Sequence, residues 1–222
     1  MLLVHHLNNS RSQRVLWLLE ELGVPYDIRH HQRDAKTMLA PSELLAVHPL
    51  GKSPVLVDGD VTVAETGAIV EYILDKFGNG RLRPAPGTPD FLRHRHWLHF
   101  AEGSAMPPLL MKLVFDEVQK APMPFFIRPI AKAISQKVLA MLVWPNLRRQ
   151  FDFIEAELGK STWLAGDELT GADIMMSFPL EAAKQRAGVD AKHPRMLDFV
   201  QRVHARPAYQ RALQRGGPYD FA

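Results

Sequence analysis

The chain has no cysteine among its 222 residues, so it can build no disulfide, no thiolate zinc site and no redox dithiol of its own. It also lacks long apolar runs: no stretch reaches the roughly 18 uninterrupted apolar residues of a membrane span. The opening Met1-Leu2-Leu3-Val4-His5-His6 has neither the basic start nor the apolar length of a secretion signal, and a cytoplasmic location is expected. Charge of one sign is not concentrated either. Net charge is +3, but 27 Lys and Arg are interleaved with 24 Asp and Glu, and no basic block could track a phosphate backbone. Nucleic acid is therefore not an expected partner. Metal-ligand spacing is missing as well. There is no His-Glu-x-x-His, adjacent His5 and His6 would point to opposite faces of a strand, and His94 and His96 do not share a helix face. No metal site is expected.

What is present is 46% apolar composition, enough for a substantial core, and one informative stretch at residues 48–66. Val55-Leu56-Val57 and Val61-Thr62-Val63 flank Asp58-Gly59-Asp60, the pattern of a tight hairpin. Pro54 stands just before the first of these strands. Its missing N–H would leave a gap in an internal ladder, so it marks a strand start, and a cis Ser53-Pro54 bond costs only about 0.5–1 kcal/mol. The Ser53 backbone is then available to an extended guest peptide, as in strand addition. After the hairpin, Ile69, Val70, Ile73, Leu74 and Phe77 recur at helical spacing, which makes Thr66 the expected N-cap. A helix start offers unpaired N–H groups and partial positive charge to a carboxylate, while the adjacent Glu65 suits an amine. An amino-acid head group carries both.

Leu2-Leu3-Val4 reads as a short buried strand ended by Asn8-Asn9-Ser10-Arg11-Ser12. A helix follows, striped by Val15, Leu18, Leu19 and Leu22 and stopped at Gly23, and Tyr26–His30 alternates as a second strand parallel to the first. A short helical piece over 41–47 leads to the hairpin, and the helix after it stops at Gly78-Asn79-Gly80. Residues 80–90, rich in proline and glycine, read as a linker between a first domain at 1–79 and a second at 91–222. No convincing strand follows. Pro107-Pro108 forces a kink or break into the helical pattern of 91–118. The stripe Ile127, Ile130, Ala131, Ile134, Val138 and Met141 fits a helix packed in a bundle better than one lying on a membrane surface. Thr170 and Asp173 have the form of a capping box, with Leu169 and Ile174 as its hydrophobic staple.

Gly51-Lys52-Ser53-Pro54-Val55-Leu56 followed by Glu65-Thr66 closely resembles the glutathione-binding half of the soluble glutathione transferases. The capping box and the Arg206-Pro207-Ala208-Tyr209 helix start resemble that family's helical domain. The likeness thus runs over essentially the whole chain. It implies an α/β thioredoxin-like N-terminal domain with a four-stranded mixed sheet, an all-α C-terminal domain, and a homodimer. It implies glutathione as co-substrate, its cysteinyl backbone paired with Ser53 beside a cis Pro54. Its γ-glutamyl end would be gripped by Glu65 and Thr66, and its glycine carboxylate met by Lys52.

Conjugation needs the glutathione thiolate, and a free thiol titrates near 8.5. Lowering that by about two units takes roughly 2.7 kcal/mol, within reach of one hydrogen bond to a charged group plus a helix N-terminus. Ser10 is the candidate by resemblance to the serine-type members, preferred over its other reading as a helix cap. Asn8, Arg11 and Ser12 are the alternatives. No tyrosine precedes Tyr26 and there is no cysteine, so tyrosine-type and cysteine-type mechanisms are disfavoured. The resemblance places a hydrophobic electrophile against 97–114, with Phe100, Glu102, Met106 and Leu110 as candidate walls. A peroxidase using the same thiolate, or a non-catalytic binding module on the same fold, are the alternatives to a transferase.

Overall fold

A strand covered on both faces has no room for solvated side chains, and Leu2–Leu7 (β1) is such a strand, buried along nearly all its length. A computed structural model describes residues 1–37 and 39–222. In it β1 runs parallel to Tyr26–His31 (β2) and antiparallel to Val55–Asp58 (β3), which pairs in a hairpin with Val61–Ala64 (β4). The sheet order is β2-β1-β3-β4, so it is mixed. Gln13–Leu22 (α1) makes the crossover and ends on Gly23 at φ 67, where a left-handed residue closes the helix. Glu43–Val47 (α2) lies between β2 and β3, and Thr66–Phe77 (α3) follows β4. Gly51, at φ 57, lies so close to α2 that a side chain there would strike Leu45.

From Pro89 onward the elements are helical, apart from an isolated bridge between Trp163 and Gly166: α4 (Pro89–Phe100), α5 (Met106–Lys120), α6 (Arg128–Val138), α7 (Trp144–Glu157), α8 (Gly171–Arg186), α9 (Pro194–His204) and α10 (Pro207–Gly216). The break expected at Pro107-Pro108 is absorbed differently. A π-helical turn at Ala101–Ala105 carries α4 into α5, and both prolines then occupy the first turn of α5. A second π turn at Leu139–Val143 precedes Pro145 in α7 in the same way.

Helix α8 is the hub, buried at every residue from Gly171 to Ala183 and packed on α1, α3, α4, α5 and α9. A side chain at Gly171 would strike Leu74 and Val70 of α3, so glycine sets how closely these two helices approach. The expected capping box is present, and Leu169 and Ile174 are both buried. The α6 stripe departs from expectation. Ile127, Ile130, Ile134 and Met141 are exposed, while Ser135 and Leu139 face inward, so the apolar face of α6 does not pack into the bundle of its own chain. Among the described residues no helix is long and apolar enough to cross a membrane.

Two buried histidines set an acid limit on this fold. Burial, with the charge of His30 added, holds His6 down to about 4, and burial with Arg83 and Arg95 does the same to His94. In the unfolded chain both titrate near 6.5. Below that pH the unfolded chain binds protons the native one refuses. Stability is therefore complete above pH 6.5 and falls as the pH drops toward 4, by roughly 3 kcal/mol for each histidine. Urea midpoints should be lower at pH 5 than at pH 7.5, and His94→Leu should shrink the difference; equal midpoints for the wild type would contradict this.

Candidate active site

The hairpin and α3 place five of the expected residues around one cavity. Lys52, Ser53, Pro54, Glu65 and Thr66 line a space of about 230 Å³, together with Arg11, His48, Leu50, Ala64 and Glu102. The Ser53-Pro54 bond is cis. Ser53 Oγ donates to the carbonyl of His5 at 2.8 Å, which ties the bend to β1. Among the described residues the Ser53 main chain makes no hydrogen bond to other backbone, which leaves its N–H and C=O to an incoming strand.

Thr66 is not the N-cap of α3 but its first residue. The cap position is Glu65, whose carbonyl accepts from Ile69 N at 2.9 Å. The difference follows from the backbone, because Glu65 adopts φ 71, ψ 123, a conformation that breaks the helix one residue earlier than the apolar spacing indicates. A non-glycine residue held there costs on the order of 1–3 kcal/mol, a type of strain that gathers at ligand clamps. Buried Thr66 and exposed Glu65 thus sit side by side at the helix start, with the first amides of α3 beside them.

The loop before α1 presents different side chains from those the sequence favours. Ser10 is buried and lines neither this cavity nor the one beyond it. Its hydroxyl donates to the Leu7 carbonyl at 2.8 Å, lies 2.7 Å from Ser12 Oγ, and accepts from Ser12 N at 3.2 Å. Ser12 Oγ in turn lies 2.8 Å from His6 Nδ1. The two serines therefore form one inward-facing chain of hydroxyls ending on a neutral imidazole. Asn8 is also occupied, its carbonyl oxygen accepting from Arg33 N at 2.9 Å.

Arg11 is the loop residue that faces both cavities. Its Nε lies 3.1 Å from Glu102, and Arg14, fully buried, hydrogen-bonds Glu102 and the Met175 carbonyl. Burial alone would raise the Glu102 carboxyl, but the two guanidinium groups outweigh it and hold it below the usual carboxylate range. One carboxylate shared by two arginines leaves local positive charge where an anion could sit. The spacing of Arg11 and Arg14 gave no sign of this, because their partner is 88 residues from Arg14 along the chain.

The second cavity, of about 380 Å³, lies between this loop and the helical domain and includes Met106, Leu109, Leu110, Leu113, Phe178 and Phe221 in its walls. Met106 and Leu110, two of the residues that the resemblance offers as walls for an electrophile, line this second cavity. Glu102 belongs to the first cavity instead. Phe100 lines neither, being packed against Trp97, His96 and Phe153.

Comparison with known proteins matches both halves of the chain to one family. Residues 1–75 match the profile of the glutathione S-transferase N-terminal domain, and residues 118–207 that of the C-terminal domain. Glutathione S-transferase 1 of Saccharomyces cerevisiae is 33% identical over 214 residues, covering 93% of this chain and 91% of its own. Glutathione S-transferase 3 of Schizosaccharomyces pombe is 34% identical over 219 residues, covering 97% and 88%. Among solved structures, a glutathione S-transferase from Actinobacillus pleuropneumoniae superposes with a TM-score of 0.80 at 30% identity, covering 100% of this chain and 95% of that one. With both halves matched and relatives one-third identical over nearly the full length, the chain belongs to the glutathione S-transferase family.

Proposed function

We propose that this protein is a glutathione transferase that binds glutathione in the cavity beneath Ser53-Pro54 and passes its thiolate to an electrophile in the adjoining cavity. The observation that carries the reading is that Lys52, Ser53, Glu65 and Thr66 converge on one cavity whose wall includes Arg11, a residue shared with the second, largely apolar cavity. Ser53 pairs with the cysteinyl backbone, Glu65 and Thr66 hold the γ-glutamyl head, and Lys52 meets the glycine carboxylate. Residues 1–79 supply this binding domain and 91–222 the helical one, with 80–90 between them. Two copies form the working unit, and the apolar residues exposed on α6 support that part of the reading; sedimentation should give twice the chain mass of 25.1 kDa.

Of the four loop candidates for holding the thiolate, we assign Arg11 rather than Ser10, Asn8 or Ser12. Arg11 faces both cavities, whereas the Ser10 proton is already given to Leu7 and would have to be withdrawn from it. A nearby guanidinium favours the anion, and a shift of about two units below 8.5 would make most of the bound thiol anionic at neutral pH. Conjugation of 1-chloro-2,4-dinitrobenzene, followed across pH 5.5–9, separates the candidates. Arg11→Gln should move the rising limb of the pH–rate profile up by about one unit, equivalent to about 1.4 kcal/mol. Ser10→Ala should leave the limb in place and lower thermal stability. The reverse pattern would reinstate Ser10 as the activating group.

A further inference from the structure

The turn that joins α5 to α6 is both apolar and cationic on its outside. Phe125 and Phe126 are 81% and 64% exposed, and every residue from Pro124 to Ile130 is open to solvent. Arg128, Lys132, Lys137, Arg148 and Arg149 are the only charged residues between Lys120 and Asp152, so this apolar stretch contains no acid at all. Among the described residues Arg128, Lys132 and Lys137 form no ion pair. Arg128 Nε instead donates to the Met123 carbonyl at 3.3 Å, which holds the turn against the start of α6. The acids that precede the turn in α5 are already matched, Asp116 with Lys112 at 2.6 Å and Glu117 with Lys120 at 2.8 Å.

Two phenylalanines set in water beside uncancelled cations fit a surface that offers hydrocarbon and negative charge together. A second copy of this chain offers the apolar half only. A two-fold contact of this turn with itself would bring Arg128 and Lys132 against their own kind with no acid between them, which leaves the homodimer the farther part of α6, at Ile134, Met141 and Leu142. We propose that the turn between α5 and α6 docks the protein on an anionic lipid bilayer, with Phe125 and Phe126 inserted at the headgroup boundary and Arg128 and Lys132 against the anionic headgroups. The attachment is peripheral, since among the described residues no helix is long and apolar enough to cross. Leu110, Val114 and Val118 stand four residues apart on one side of α5, all exposed, and Leu110 lines the second cavity. An apolar strip therefore leads from the docked turn to that cavity. The inference goes beyond the transferase reading and does not depend on glutathione.

Co-sedimentation of the full chain with large unilamellar vesicles tests this. The chain should bind phosphatidylcholine vesicles that contain about one-third phosphatidylserine, bind phosphatidylcholine alone at least about tenfold more weakly, and be released as salt is added. Phe125→Ser with Phe126→Ser, and separately Arg128→Gln with Lys132→Gln, should each weaken binding to the anionic vesicles by about tenfold or more at an unchanged melting temperature. A chain of net charge +3 is drawn weakly to any anionic surface, so the charge-matched control is Arg29→Gln with Arg95→Gln, two exposed arginines on β2 and α4. It should lose less than about twofold. An equal loss in the control, or no preference for the anionic vesicles, overturns the inference. So does a wild type that ignores vesicles while the phenylalanine variant falls to a monomer, which would mean that a second copy covers the turn.

A second measurement reads insertion directly. The chain has no cysteine, so Phe126→Cys carries a polarity-sensitive nitrobenzoxadiazole label at one place only. Its emission should shift to the blue on anionic vesicles and be quenched by nitroxide-bearing lipid. The same label on Leu92→Cys, exposed on α4, should do neither. A label at position 126 that stays in water while the protein is vesicle-bound would show attachment by another face and overturn the inference.

Discussion

Exchange of Glu65 for glycine is expected to raise the melting temperature while weakening glutathione binding by one to two orders of magnitude. Both effects have one origin. Glu65 is held at φ 71, ψ 123, which glycine adopts freely and a side chain does not. Relief of about 1–3 kcal/mol, less the greater chain entropy of glycine, leaves a net gain of about 1 kcal/mol, or 2–4 °C for a chain of this size. The carboxylate, exposed at the cavity wall, holds no partner among the described residues that its loss would strand. Its proposed partner is the amine of the γ-glutamyl head, and a charge-assisted hydrogen bond of about 1.5–3 kcal/mol corresponds to a 10- to 150-fold loss of affinity. Glu65→Ala should lose affinity equally without the gain in stability. Melting curves and calorimetric titration of the two variants check both halves. If the glycine variant melts below the alanine one, the strain is misassigned; if it binds like wild type, Glu65 is not in the site.

The largest loss of stability is expected from Asp173→Ala. The carboxylate is fully buried and accepts from Leu164 N at 2.8 Å, Thr170 N at 2.8 Å and Thr170 Oγ1 at 2.9 Å. Alanine leaves two buried amides without acceptors, at about 1–3 kcal/mol each, and releases the loop that meets the start of α8. A total of about 3–5 kcal/mol is a large part of the 5–15 kcal/mol that holds an ordinary domain together. Asp173→Asn keeps one acceptor oxygen but turns an N–H₂ toward a donor, so it should fall between wild type and alanine. Urea unfolding measures both, and a loss under 1 kcal/mol for alanine would mean the box is not what anchors α8. The cavities lie elsewhere, so the fraction that remains folded should bind glutathione normally.

These two sites also mark how far the sequence could be read. Thr170 and Asp173 lie three apart beside a staple pair, and local chemistry of that kind survives folding because it is complete within a few residues. The same holds for the hairpin about Asp58–Val61, the stop at Gly23, and the proline at the head of β3. Apolar spacing placed α3, but it could not show that Glu65 rather than Thr66 caps the helix, since the strained backbone that decides this leaves no mark on periodicity. Nor could it foresee two π turns, which let prolines follow within a continuous helical path. Long-range partners were the least legible. Arg11 and Arg14 find Glu102, Ser10 turns to Leu7 and the Ser12–His6 pair, and Phe100 joins an aromatic cluster with Phe153. Each outcome depends on which surfaces meet when the sheet docks on the helices, and a pattern read along the chain contains no such information. The stripe of α6 shows the converse: its period is helical, yet its apolar side faces out, because periodicity fixes that a face exists and not what covers it.

The claim on which the rest depends is that the cavity beneath Ser53-Pro54 recognises the γ-glutamyl head of glutathione. Calorimetric titration with glutathione and, separately, with the dipeptide cysteinylglycine, which lacks that head, tests it most directly. Saturable binding of one glutathione per chain, with the dipeptide at least 100-fold weaker, is the expected result. Equal affinity for the two, or no heat from glutathione at millimolar concentration, would contradict it.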